Sequence, residues 1–157
     1  MIILGIDPGT AIIGVGVIEY QNKKVLLKDY LCIRTDKKDS TAQRLDELFC
    51  QLTKVIKKHR PDLIAVEDIF FFKNLKTAIK VSQARGVILL AAARQKIKVH
   101  EYTPLQVKQA LTGYGRAEKG QIQQMVKRIL CLKDIPRPDD AADALAIAIC
   151  CAHSIRD

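Results

Sequence analysis

The chain opens MIILGIDPGT, Met1 to Thr10, and the reading of this stretch decides the fold. Met1 to Leu4 are apolar, and with Gly5 and Ile6 they read as a short buried strand. Asp7 stands at its end, where Pro8 and Gly9 turn the backbone. A carboxylate at the tip of a rigid buried strand is costly unless something positive meets it there, a metal, a phosphate-bound cation or a basic side chain. A turn-forming Asp-Pro-Gly is the plain alternative. Two later stretches that also place carboxylates at the ends of apolar elements favour a site.

Working outward, Ala11–Tyr20 and Val25–Ile33 are further apolar runs joined by the polar connection Gln21–Lys24, so the first three strands form an antiparallel meander. Gly14 and Gly16 ease twisting or the close approach of another backbone. Leu63–Val66 is short and continuously apolar, as a central parallel strand covered on both faces would be, and Glu67 stands at its C-terminal end. Open α/β sheets bind ligands at that edge, which gives Glu67 a route to the pocket of Asp7. Ile97–Tyr102 reads as one more strand.

Helices are expected between and after these strands. Ser40 caps an amphipathic helix to about His59, with Leu45, Leu48, Phe49, Leu52, Val55 and Ile56 on one face. Leu75 to about Gln95 reads as a long apolar helix that suits a homodimer seam, with Gly86 permitting close packing. Thr103-Pro104 starts a short helix through Leu111, with Lys108 on its polar side. The Gly-bracketed loop Thr112–Lys119 carries Arg116 and Lys119, basic groups placed for phosphate, into a helix bearing Ile122, Met125, Val126 and Ile129. The last helix opens at Asp139-Asp140, with Asp139 as its cap. Asp140 and Asp143, three apart, project from one face, and small apolar neighbours mark the Asp143 face as buried.

The 157 residues suit one domain, 1–157, and 48% hydrophobic content supplies its core. No apolar run approaches a membrane span and the N-terminus lacks a signal-peptide n-region and cleavage site, so no membrane partner is expected. Cys32, Cys50, Cys131, Cys150 and Cys151 show no CxxC spacing and read as reduced core thiols of a cytoplasmic protein. Net charge is +9 although the site candidates are acidic. A basic body around an acidic site is what an enzyme acting on a polyphosphate requires. Phe70, Phe71 and Phe72 beside Lys73 form an aromatic loop suited to stacking on bases while the lysine meets phosphate. The chain runs only a short way past its last helix, so no long basic tail is expected.

If Asp7, Glu67, Asp140 and Asp143 converge, each close pair repels by about 4 kcal/mol at the distance of a contact. Either some protonate or cations neutralise them. An all-oxygen set without Cys or His suits Mg²⁺ or Mn²⁺ over zinc. Two such ions about 4 Å apart can activate a water and stabilise the leaving oxygen of a phosphodiester.

GIDPGT at 5–10, AVE at 65–67 followed by Phe70 and Lys73-Asn74, QARG at 83–86, QVKQ at 106–109, AEK at 117–119 and DAADALAIAI at 140–149 together resemble the RuvC family, the crossover-junction endodeoxyribonucleases that resolve Holliday junctions. The resemblance runs in order over almost the whole chain. It implies an RNase H-like fold, a five-stranded mixed sheet with three antiparallel strands flanked by helices. It also implies a homodimer that nicks two strands of like polarity in four-way junction DNA, leaving 5′-phosphates, with two Mg²⁺ ions per subunit and Mn²⁺ also supporting activity. A branch-migration helicase complex, RuvA and RuvB, is the implied partner, in recombination and DNA repair. By motif the catalytic and metal-binding acids are Asp7, Glu67, Asp140 and Asp143. Phe70 falls where the family has a junction-contacting aromatic, and Lys108 and Lys119 where it has basic residues supporting DNA binding and catalysis.

Three rivals fit less of the chain. An actin-like or sugar-kinase-like ATPase opens on a similar strand, Asp and Gly-Thr turn, but needs two such domains. A noncatalytic DNA-binding module leaves the acids unexplained. An RNase H acting on RNA–DNA hybrids shares the acids but gives the Phe70 loop no purpose.

Overall fold

The computed structural model describes residues 1–9, 11–68 and 75–155. Among them the strands are β1 (Ile2–Asp7), β2 (Ile12–Gln21), β3 (Lys24–Arg34), β4 (Leu63–Glu67) and β5 (Lys98–Tyr102). The helices are α1 (Thr41–His59), α2 (Leu75–Arg94), α3 (Pro104–Thr112), α4 (Lys119–Ile129) and α5 (Asp139–Ser154). The strands form one mixed sheet in the order β3-β2-β1-β4-β5. β1, β2 and β3 are antiparallel neighbours, and β4 and β5 join in parallel, the arrangement expected from the sequence.

Alternation along β1 sorts its side chains between two cores. Leu4 and Ile6 enter one core, against Leu48, Leu52 and Ile56 of α1 and Ala84, Ile88 and Ala92 of α2. Ile3 enters the other, with Val107 of α3, Val126 of α4 and the buried length of α5. Gly5 and Asp7 share the parity of Ile3 and so belong to the α5 side. The same rule puts Ile64 and Val66 of β4 against α1 and α2, and Ala65 against α5, which sends Glu67 after Asp7. The pairings Ile6↔Val66 and Glu67↔Tyr102 bring the C-terminal ends of β1, β4 and β5 to one edge.

Three glycines decide how near α5 can lie. A Cβ on Gly5 would overlap the Ala144 carbonyl oxygen, and one on Gly14 the carbonyl oxygen of Asp140. On Gly16 it would fall 2.7 Å from the Leu145 nitrogen. The expected close approach of a second backbone at Gly14 and Gly16 is therefore that of α5, whose alanines complete a thin interface. Gly86 behaves differently from expectation within the chain: its Cβ position faces open space, because the outer face of α2 meets no other described element.

Local signals act as read. Asn22 and Lys23, at φ 51° and 61°, turn the β2–β3 hairpin in the left-handed backbone region that suits its twist. Ser40 caps α1 and Thr103 caps α3, each in a reciprocal box with a glutamine, Gln43 and Gln106. Two expectations are corrected. Pro138, not Asp139, is the capping residue of α5, because its extended backbone (φ −71°, ψ 171°) fits that position while Asp139 is already helical. Cys150 and Cys151 are core thiols, but Cys50 and Cys131 are exposed and Cys32 is half-buried; all five are free. Phe70, Phe71, Phe72 and Lys73 lie outside the described residues.

Gly14→Ala should destabilise the protein by about 2 kcal/mol, the usual cost of overpacking against unyielding backbone. Gly120→Ala, whose added carbon meets open space, should be neutral or stabilising by about 0.5 kcal/mol. Urea unfolding midpoints of the two variants check the contrast; equal midpoints would show that α5 can lift from the sheet at little cost.

Candidate active site

At the sheet edge a cleft of ≈ 210 Å³ opens between the ends of β1 and β4 and the helices α3, α4 and α5. Asp7, Glu67 and Asp143 line it on the acidic side, and Lys108 of α3 and Lys119 of α4 on the basic side. Each acid arrives on a different element. Asp7 ends β1, Glu67 ends the neighbouring parallel strand, and Asp143 lies in the second turn of α5, which the glycines hold against β1 and β2.

Burial first, then the charges of Glu67, Asp143 and Asp140 in turn, push the Asp7 carboxyl up to about 7, against a lesser opposing pull from Lys119. Burial and Asp143 push Glu67 up to about 7 as well. Asp143 is also raised, chiefly by burial, although Lys119 opposes the shift. The reason for that opposition is direct: Lys119 Nζ donates to Asp143 Oδ2 at 2.9 Å. The same bond holds the lysine firmly protonated. The cleft is thus a cluster of acids held close together with one ammonium supplying partial compensation.

The structure brings together three of the four acids singled out in the sequence. Asp140 is near enough to act on Asp7 and on the Cys32 thiol, but it is not among the residues lining the cleft. Its backbone carbonyl sits over Gly14. Asp139 lies outside the cleft, paired with Arg137 and, at 3.6 Å, with Lys119. Arg116 is exposed on the loop between α3 and α4 and does not line the cleft.

Two contributors carry no assigned role in the sequence, although Arg85 stands within QARG at 83–86. Arg85 of α2 bridges Glu101 of β5 and Asp68, at 3.4 Å, and so steadies the chain immediately after Glu67. No local spacing signals it, because its partners are distant in sequence. Gln123 is a buried polar residue of α4, one turn from Lys119, whose amide helps hold the Asp139 carboxyl below its usual range. The four-residue spacing from Lys119 was its only trace.

The donor set suits a hard divalent cation. It is all carboxylate, with no Cys or His lining the cleft, and its raised protonation marks negative charge that Lys119 alone leaves partly uncompensated. Among the described residues no three such side chains are grouped closely enough to hold a metal ion, and Lys119 Nζ lies 2.9 Å from Asp143.

The family model described as crossover junction endodeoxyribonuclease RuvC matches residues 3–151. A protein of that name from Heliobacterium modesticaldum is 58% identical over 155 residues, covering 99% of this chain and 96% of its own. The structure of Thermus thermophilus RuvC superposes with a TM-score of 0.91 at 38% identity, covering 98% of this chain and 94% of that one. The same Thermus protein in complex with a Holliday junction substrate gives a TM-score of 0.90 at 36% identity, with the same coverage. The sheet order and flanking helices are accordingly those of an RNase H-like fold. The chain belongs to the crossover junction endodeoxyribonuclease RuvC family.

Proposed function

We propose that this protein resolves Holliday junctions by paired, metal-dependent nicks in strands of like polarity, in homologous recombination and DNA repair. The observation that carries the reading is the single cleft in which Asp7, Glu67 and Asp143 face Lys108 and Lys119. The name and junction-bound structure of the relatives supply the substrate class. The family's nucleases work with a divalent metal; here Asp7, Glu67, Asp140 and Asp143 are the proposed ligands of two Mg²⁺ ions, with Mn²⁺ as a substitute. When bound, such ions supply an activated water and stabilise the leaving 3′-oxygen, giving a 5′-phosphate.

The chain's own residues do the rest. Lys108 and Lys119 hold the phosphate over the acids, and Arg116 and Lys73 meet phosphates farther along the strand. Phe70, Phe71 and Phe72 stack at the crossover, which the net charge of +9 helps to attract. The whole chain, 1–157, acts as one nuclease domain. It works in the cytoplasm, delivered by the branch-migration proteins RuvA and RuvB.

Paired cuts call for two sites, and α2 offers a seam for a homodimer. Ile79 and Leu90 are exposed, and Gly86 between them faces open space. These positions fall within about 40° of one another around the helix, a stripe narrow enough to meet its own copy about a two-fold axis.

A mobile synthetic four-way junction should be nicked symmetrically with Mg²⁺ and not with EDTA, while a linear duplex of the same sequence stays whole. Asp7→Asn should slow that cleavage about a thousandfold, ~4 kcal/mol of barrier, and leave junction binding intact; cleavage at the normal rate would remove Asp7 from the site.

The raised carboxyls also set a pH dependence. Groups protonated more tightly in the folded than the unfolded state lose stability for the fold as they ionise, so the metal-free protein should melt at progressively lower temperature from about pH 4 to about pH 7. Mg²⁺ should restore the melting temperature above that window, and Asp7→Asn should flatten both effects. Melting curves with and without Mg²⁺ that run parallel across the window would contradict the assignment of the cleft as a cation site.

Leu90→Glu should give a monomer in sedimentation and leave junctions with single, uncoordinated nicks. A dimer that persists would move the seam off α2.

A further inference from the structure

One acid near the cleft has no part in the proposed reaction, and its surroundings are too ordered for an idle surface group. Asp139 opens α5 one turn before Asp143, so the two carboxylates project from the same side of the helix. Lys119 Nζ lies between them, 2.9 Å from Asp143 and 3.6 Å from Asp139. Arg137 pairs with Asp139 from outside, and the Gln123 amide, buried on α4, helps Lys119 and Arg137 hold the Asp139 carboxyl below its usual range. Lys119 and Gln123 are themselves four apart on α4 and so share one face of that helix.

An isolated pair between partly exposed groups is worth little, because holding both side chains offsets most of the attraction. Asp139 is not isolated. Arg137 already pairs with it, so Lys119 meets an acceptor partly ordered by another partner. The two acids differ in what else is asked of them. Asp143 lines the cleft and Asp139 does not. Any cation that takes over Asp143 repels the ammonium now bound there, and the acid one turn back is then the nearest anchor left to it.

We infer that Asp139 is a positioning residue, an outer anchor that keeps the Lys119 ammonium at the mouth of the cleft when Asp143 is engaged by a divalent cation. This rests on the proposal that Lys119 serves the cleavage site. It adds a function for a residue that neither lines the cleft nor touches the proposed metal. Without the anchor, Lys119 is free to follow its solvation into bulk water, and the phosphate it should meet loses one charge-assisted contact.

The test uses the whole chain, 1–157, and the variants Asp139→Asn, Asp139→Glu and Lys119→Ala. With saturating Mg²⁺, Asp139→Asn should cut a junction about tenfold more slowly, the size of one charge-assisted contact, with junction affinity in Ca²⁺ changed less than about twofold. Asp139→Glu should recover most of the rate. In the Lys119→Ala background the Asp139→Asn change should cost nothing further, since its effect runs through the lysine.

A second readout needs no turnover. Amine-reactive labelling followed by mass spectrometry should find Lys119 protected in the native protein with or without Ca²⁺. In Asp139→Asn it should be protected without Ca²⁺, by Asp143, and exposed with it. Native-like labelling of Asp139→Asn in Ca²⁺, or the same rate loss from Asp139→Asn in the Lys119→Ala background, would overturn the inference and leave Asp139 a helix-end charge only. Cleavage by Lys119→Ala at the full rate would instead remove Lys119 from the site and the anchor with it.

Discussion

The contact on which the rest of this structure depends is that of α5 lying backbone to backbone on β1 and β2. Gly5, Gly14 and Gly16 face it, and a single Cβ at any of them would enter the helix main chain. The closeness has two consequences. It gives the Ala-rich helix, with little side-chain volume of its own, dense contact with the sheet, as a well-packed interior requires. It also sets the height of Asp143 over the strand ends. Asp140 takes part as backbone, its carbonyl lying where a side chain on Gly14 would go. The glycines that look like strand weaknesses are therefore what allows acids on a helix to meet acids on strands.

Bringing those acids together is unfavourable, and the fold does not hide it. Asp7 is pushed up to about 7 by burial and then by Glu67, Asp143 and Asp140, and Glu67 up to about 7 by burial and Asp143. Lys119 relieves part of the strain from α4, and its bond to Asp143 holds the amine charged. A cleft so arranged is a poor place for carboxylates alone and a good one for a doubly charged cation. The chain as a whole carries a net charge of +9, which favours the approach of a polyanion at long range.

Much of this was legible beforehand because it is local. Strand tips ending in Asp7 and Glu67, the hairpin at Gln21–Lys24, and the Ser40 and Thr103 caps are each written in a few adjacent residues. The glycines on β2 signalled a close approach but not its partner, since α5 lies more than a hundred residues later in the chain. Asp139 was misread as a cap for a related reason. Its acidity suits a helix start, but Pro138 holds the capping backbone, and the carboxylate pairs with Lys119 and Arg137. Arg85 stands in the QARG stretch, but its partners Asp68 and Glu101 were not legible, because an ion-pair partner on another element leaves no periodic trace.

The strand register ties chemistry to stability more tightly than either the acids or the core would suggest alone. Leu4 and Ile6 on one side of β1, and Ile3 and Gly5 on the other, leave only one orientation in which both cores close. A slip of one residue against β2 would turn Leu4 and Ile6 toward α5, where the helix backbone occupies the space, and send Asp7 toward the apolar α1 and α2 side. The parallel pairing with β4 extends the same restriction to Glu67, two residues beyond Ala65 on the α5 side. The apolar alternation that makes the sheet fold is thus also what decides that both carboxylates reach the same cleft, so a substitution that loosens the register should damage the site before it unfolds the protein.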